Sequence, residues 1–213
     1  SIPKKEKRRD AAYQNLADQI YLIAKDKHYK SFLIASVNYN EGASRVAANL
    51  AASLANKVHR QALVIDANLR NPSLHLKASG ANETGLAGIL EGKTQFLQAI
   101  KRPTPHLSVL TAGKTTLNPL TLLDSQAMAE TIKTARDKHE IVFVHSTDLL
   151  GCKDALIVAG YVDAVIIVIE DGCTRRQVAK AAIDPLREKG VILAGVVLHN
   201  RVYAIPRLIY DRV

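Results

Sequence analysis

Tryptophan is absent from this 213-residue chain, methionine occurs once, cysteine twice, and aromatic residues make up only 5% of it. Cys152 and Cys173 form no CxxC pair. That excludes a disulfide framework and paired-thiolate zinc chemistry, and it points to a reducing compartment with both thiols buried among apolar neighbours. The histidines show no H-x-x-x-H spacing, so no metal centre is expected. No apolar run reaches the roughly eighteen residues that a membrane helix needs. The opening SIPKKEKRRD has a basic cluster with no apolar stretch behind it, unlike a signal peptide. With few aromatics, no zinc-finger spacing and no RNA-recognition signature, nucleic acid is the weaker class of partner. The expectation is a cytoplasmic protein.

What is present suits one folded unit. Hydrophobic residues account for 47% of the chain, enough for a full core at this length and with no room for a second domain. The expected organisation is a basic tail over residues 1–9 and a single domain over 10–213. Net charge is +9, with Lys4, Lys5, Lys7, Arg8 and Arg9 grouped together. Such a cluster reads as a solvated tail or as attraction to an anionic partner, for which basic residues gain about 1 kcal/mol each beside anionic lipid.

Short β-branched runs alternate with helical patterns. Residues 32–37 (FLIASV), 62–66, 107–112, 141–146, 163–170 and 192–199 are apolar on both parities, as strands buried on both faces should be. Apolar spacing near 3.6 predicts helices over 10–27, 44–57, 124–138, 153–160 and 175–189, with a kink or restart at Pro185. The alternation implies a doubly wound, mainly parallel α/β sheet with helices on both faces. Ligands in such sheets bind beyond the carboxyl ends of the strands, so the loops after Val37, Asp66, Ser146, Glu170 and His199 carry the functional expectation.

The first of these loops, SVNYNEGASR (36–45), has the strand–loop–helix setting of a phosphate-binding loop but lacks its lysine. The segment AGKTT (112–116) contains a G-K-T yet runs into Leu117-Asn118-Pro119 instead of a helix, so no phosphate nest is expected there. His145 and His199 are expected to approach the cleft as neutral, buried imidazoles. Ser146, adjacent to His145 on a strand, should face the opposite way and form no nucleophile–base pair with it.

In order along the chain, SVNYNEGASRVAANLAASLA, ALVIDANLRNPSLH, GLAGILEG, LSVLTAGKTTLNPLTLLDS and the blocks from IVFVHS to VILAGVVLHN resemble the bacterial tyrosine kinases of exopolysaccharide synthesis. These are deviant-Walker P-loop ATPases. The resemblance implies a P-loop NTPase-like fold from about Asp10 to Tyr210 and a nucleotide cleft built from Glu41, Gly42, Ala43, Ser44, Arg45, Asp66, Asn68, His199 and Asn200. Within it Ser44 and Asp66 stand at the magnesium positions, and Asp66 and His145 at the catalytic ones.

The departures from the family's pattern fall on charged and base-reading positions. Its loop resembles S-x-x-P-G-E-G-K-S-T; here Tyr39 replaces the proline, Asn40 a glycine, Ala43 the lysine and Arg45 the threonine. Arg45 is a poor substitute, because two helical positions turn a side chain by about 200°. Asn68 replaces a second acid after Asp66, His145 replaces the Walker B aspartate with Thr147 where a proline is expected, and His199 stands where an adenine-contacting asparagine would be, with Asn200 one place on. Losing a charge-assisted phosphate contact costs about 2–4 kcal/mol, and neutral imidazole is a poor magnesium ligand. The family's E-x-x-R-x-x-R ring helix aligns with Ala11, Gln14 and Ala17, and its tyrosine-rich tail with a segment holding only Tyr203 and Tyr210.

The expectation is therefore a catalytically impaired, kinase-like scaffold or regulator. It would be peripheral to the inner membrane, docked on a polysaccharide co-polymerase, and a monomer or small oligomer. No cofactor is expected beyond weak ATP and magnesium. The alternatives are an unorthodox ATP-using site on Ser44 and Asp66, and a DNA-binding relative of the partition ATPases.

Overall fold

Strands that are apolar on both faces need helices on both, and the chain supplies them. A computed structural model describes residues 4–39, 41–57, 59–74, 84–172 and 174–199. The elements begin with α1 (Lys4–Lys27), β1 (Ser31–Ser36), α2 (Ala43–Lys57) and β2 (Ala62–Asp66). Next come α3 (Gly85–Leu90), α4 (Phe96–Ala99), β3 (Lys101–Thr104), β4 (Leu107–Leu110), α5 (Pro119–Leu123) and α6 (Gln126–Lys138). The described chain ends with β5 (Ile141–His145), α7 (Asp154–Val158), β6 (Ala164–Glu170), α8 (Arg176–Glu188) and β7 (Leu193–His199).

The seven strands form one sheet in the order β3-β4-β2-β5-β1-β6-β7, parallel except where β3 pairs with β4. Side-chain alternation divides the core in two. Phe32, Ile34, Val64 and Phe143 pack with Val46, Leu50 and Leu54 of α2 and Ala17 and Ile20 of α1. Leu33, Leu63, Ile65 and Val144 face the other way, against Leu86 of α3, Met128 and Ile132 of α6, and Leu186 of α8. Every residue of β1, β2 and β5 is buried.

Several boundaries differ from the sequence pattern for identifiable reasons. α1 starts at Lys4, because apolar periodicity does not register polar helical turns. α8 runs through Pro185 to Glu188 without a restart; so near the helix end a missing N–H costs one bond, and the Pro185 carbonyl still accepts from Lys189 N–H at 3.3 Å. α3, α4, α5 and β3 were not anticipated, each being only four to six residues long. The AGKTT segment is a loop, but Leu117-Asn118-Pro119 does lead into a helix, against expectation: Pro119 opens α5, capped by Asn118 Oδ1 accepting from Leu120 N–H at 3.0 Å, and a proline is tolerated in that first turn. Cys152 is only partly buried, in a polar loop after β5 instead of the apolar core, with burial raising its thiol pKa. Cys173 lies outside the described residues.

At the amino end of the sheet, Asp163 ties β6 to β1. Its Oδ2 accepts from the N–H groups of Lys30 and Ser31 and from the Ser31 hydroxyl, each at 2.8 Å, while Arg136 donates to Oδ1 at 3.1 Å. Burial alone would raise the carboxyl pKa, but these donors and the Arg136 charge outweigh it and hold the group below its ordinary value. Asp163→Asn should therefore lower the unfolding free energy by about 1–2 kcal/mol near neutral pH in urea titrations. With the folded pKa below the unfolded value of about 3.9, wild-type stabilisation is present above that value and fades as pH falls through the folded pKa. The two stability curves should converge in acid.

Candidate functional site

The strand order reverses around β1, which leads to β2 on one side and neighbours β6 on the other, and a doubly wound sheet places its crevice there. A cavity of about 90 Å³ lies at these carboxyl ends. Three loops line it: Ser36 to Ser44 after β1, Asn68 to Ser73 after β2, and His145 to Asp148 after β5.

The first loop is held from within. Glu41 is buried, and its Oε2 accepts from the N–H groups of Val37 and Asn38, both at 3.0 Å. Its Oε1 accepts from Asn38 Nδ2 at 3.1 Å and from the Thr174 hydroxyl in the loop after β6. Gly42 takes a positive φ of 85°, and Ala43 opens α2. Ser44 lines the cavity, whereas Arg45 is exposed and does not, as the helical rotation requires. None of the described lining residues is basic.

The second loop is organised by Asp66. One oxygen accepts from Asn68 N–H at 3.0 Å; the other accepts from Ser73 and Leu74 N–H at 2.9 and 2.8 Å. Asn68 Oδ1 in turn accepts from Asn71 N–H at 3.0 Å, and Asn71 Nδ2 donates to the Tyr39 hydroxyl at 2.7 Å, bridging the first two loops at the rim. Arg70 reaches across to the start of α7 in a two-pronged contact with fully buried Asp154, at 2.7 and 3.0 Å.

His145 stands beside Asp66 in the strand register. Burial pushes its imidazole below the ordinary pKa, against the pull of the Asp66 carboxylate and a hydrogen bond to the Ile34 backbone. Among the described residues its Nδ1 has no partner, nor have the hydroxyls of Ser73, Ser146 and Thr147. Ser146 was expected to face away from His145, yet both line the cavity; β5 ends at His145, so strand alternation does not extend to Ser146. The His199 ring lies against Gly42, and burial first, then the Arg45 charge, lower its pKa against Glu170. Both histidines therefore converge on the cleft with depressed basicity. Asn200 lies outside the described residues. No group of three metal-ligating side chains occurs among the described residues.

The structure thus gathers Glu41, Gly42, Ala43, Ser44, Asp66, Asn68 and His145 around one cleft, with His199 at its edge. Sequence reasoning missed Ser73, Ser146 and Asp148 as lining residues and the Tyr39–Asn71 bridge. Their only sequence signal was position in loops after strands.

The Gly42–His199 contact gives a direct test. A Cβ at residue 42 would stand 2.5 Å from His199 Cδ2 on a backbone that L side chains rarely adopt. Gly42→Ala should cost more than about 1 kcal/mol in thermal denaturation, and His199→Ala in the same chain should recover the steric part while leaving the backbone part.

No family model matches the chain. The tyrosine-protein kinase YwqD of Bacillus subtilis is 32% identical over 190 residues, covering 89% of this chain and 80% of that one. The crystal structure of the VpsO kinase domain superposes with a TM-score of 0.82 at 27% identity, over 93% of this chain and 98% of that one. The cell division ATPase MinD of Pyrococcus furiosus shares the fold, with a TM-score of 0.67 at 21% identity over 79% of this chain and 71% of that one. A parallel sheet of this order, a phosphate-loop turn leading into α2, and a relative of this identity over most of both chains place the protein in the bacterial tyrosine kinase family, on a P-loop NTPase fold.

Proposed function

We propose that this chain is a catalytically impaired, tyrosine-kinase-like P-loop protein. It acts as a scaffold or regulator in exopolysaccharide or capsule synthesis and docks on the cytoplasmic segment of a membrane co-polymerase. The observation that carries the reading is the charge of the cleft. Ala43 stands where the phosphate-neutralising lysine belongs, and among the described residues the lining holds Glu41 and Asp148 but no lysine or arginine. Both Asp66 oxygens already accept backbone N–H groups, and His145 presents an imidazole of lowered basicity where an acid would bind the metal.

Magnesium-ATP does not fit this set of residues. Phosphoryl transfer needs a lysine and a metal to neutralise developing charge, and the described lining residues offer neither a lysine or arginine nor a free pair of carboxylate oxygens. The same observation weighs against an unorthodox kinase built on Ser44 and Asp66. The basic cluster Lys4–Arg9 fits an anionic membrane surface near the co-polymerase. Of the positions aligned with the family's ring contacts, Ala11 is exposed, Gln14 donates to Asp18 within α1 at 2.9 Å, and Ala17 is fully buried against the sheet. None offers a charge for a ring interface, and light scattering should report a monomer or small oligomer.

Calorimetric titration with magnesium-ATP should give no dissociation constant tighter than roughly millimolar; a micromolar constant would overturn the reading. Combining Ala43→Lys, Asn40→Gly, Asn68→Asp and His145→Asp should restore measurable binding. The combined gain should exceed the sum of the single changes, because lysine and metal act on the same phosphates. Binding that stays absent in a folded quadruple variant would show that the loop backbone no longer forms a phosphate cradle.

A further inference from the structure

A cleft without nucleotide chemistry is still a cleft, and this one is unsatisfied in a specific way. Ser73 Oγ, Ser146 Oγ and His145 Nδ1 are buried and have no hydrogen-bond partner among the described residues, and all three residues line the same cavity. Buried polar atoms are rarely left without partners, and three around one space point to something that fills it. The cavity of about 90 Å³ exceeds the space a single water needs.

The donor and acceptor roles narrow the class of occupant. His145 Nδ1 is a donor or an acceptor according to the tautomer of the neutral imidazole, and a hydroxyl group can meet either. Asp148 and Glu41 add carboxylates to the lining, and Asp66 lies behind it beside His145. A phosphate dianion would be repelled by these carboxylates without a cation to offset them. A cationic ligand meets the amino end of the 15-residue helix α2, whose exposed N–H groups disfavour positive charge. The hydroxyls of Ser73 and Ser146 donate and accept equally. What matches all of these is a neutral molecule with several hydroxyl groups. Asn68, Asn71 and Asp148 supply planar amide and carboxylate partners, and Tyr39, 69% exposed at the rim, offers a ring face for C–H groups.

We propose that this cleft binds a neutral saccharide unit, without metal, through Ser73, Ser146 and His145 with Tyr39 as its rim. The proposal rests on the reading that the cleft has lost magnesium-ATP chemistry, and it gives the proposed regulator a ligand to sense. The sugar hydroxyls would donate to Asp148 and exchange hydrogen bonds with His145 Nδ1 and the two serines.

The test is amide-resolved NMR titration of the full chain with glucose, galactose and N-acetylglucosamine at millimolar concentrations, without magnesium, beside separate titrations with inorganic phosphate and magnesium-ATP. At least one sugar should shift the amides of residues 42–45, 68–73 and 145–148, and inorganic phosphate should not. Ser73→Ala and Ser146→Ala should each weaken that binding about fivefold or more, and Tyr39→Ala should do the same. The serine variants should keep or raise the thermal midpoint, because each removes an unpartnered buried hydroxyl; a purely structural role would instead lower the midpoint and leave sugar affinity unchanged. If no sugar shifts these amides, or if the shifts survive the Ser73→Ala, Ser146→Ala double variant, the saccharide assignment falls. If neither sugar nor magnesium-ATP binds, only that assignment falls. If magnesium-ATP binds at micromolar concentration and the sugars do not, the impaired-kinase reading falls with it.

Discussion

The constraint on which the molecule depends is the burial of β1, β2 and β5 on both faces. A strand closed above and below by helices has no site for an unpaired polar side chain, so every group with chemistry is driven to the strand ends. Asp66 and His145 are the last residues of β2 and β5, side by side in register. Glu41 comes one loop after β1. The position of the cleft follows from that exclusion together with the reversal of strand order around β1.

At those ends the carboxylates are satisfied in an unusual currency. Glu41 and Asp66 are almost wholly buried, and the hydrogen bonds they accept come from backbone N–H groups, an amide and a hydroxyl, with no lysine or arginine among the donors. Charge-assisted bonds of this kind are roughly twice as strong as neutral ones, and several together offset the desolvation of a carboxylate. They also spend its lone pairs. An oxygen that holds a loop in place is poorly available to a metal, so the interactions that shape the cleft also limit its chemistry. Arg70 and Asp154 complete the frame by joining the second loop to the start of α7.

The doubly wound architecture was legible because its signal is repeated: six apolar runs of strand length, separated by helical patterns, leave few other arrangements. Short elements such as α4 and β3 were not legible, since four residues carry no measurable period. Glu41, Gly42, Asp66 and His145 were found at the cleft because loop position and family pattern both indicate them. Ser146 was misplaced by extending strand alternation one residue past the point where β5 ends, and strand ends are where sequence patterns fade. The Tyr39–Asn71 bridge joins residues from different loops, so no local pattern encodes it.

The substitutions that distinguish this cleft from the family's pattern have opposite signs, and this gives them a physical logic. A lysine kept at position 43 without a phosphate would be a cation held in a confined space beside carboxylates already satisfied by N–H groups. Acids kept at 68 and 145 without a metal would crowd Asp66 with like charges. Removing either set alone leaves the other uncompensated, whereas removing both leaves neutral amide, imidazole and hydroxyl groups that tolerate burial if something hydrogen-bonds to them. A cleft altered in that paired way keeps its loops, its helix terminus and its depth. On the proposed reading, the kind of molecule that can satisfy it changes from one that brings charge to one that brings hydroxyl groups.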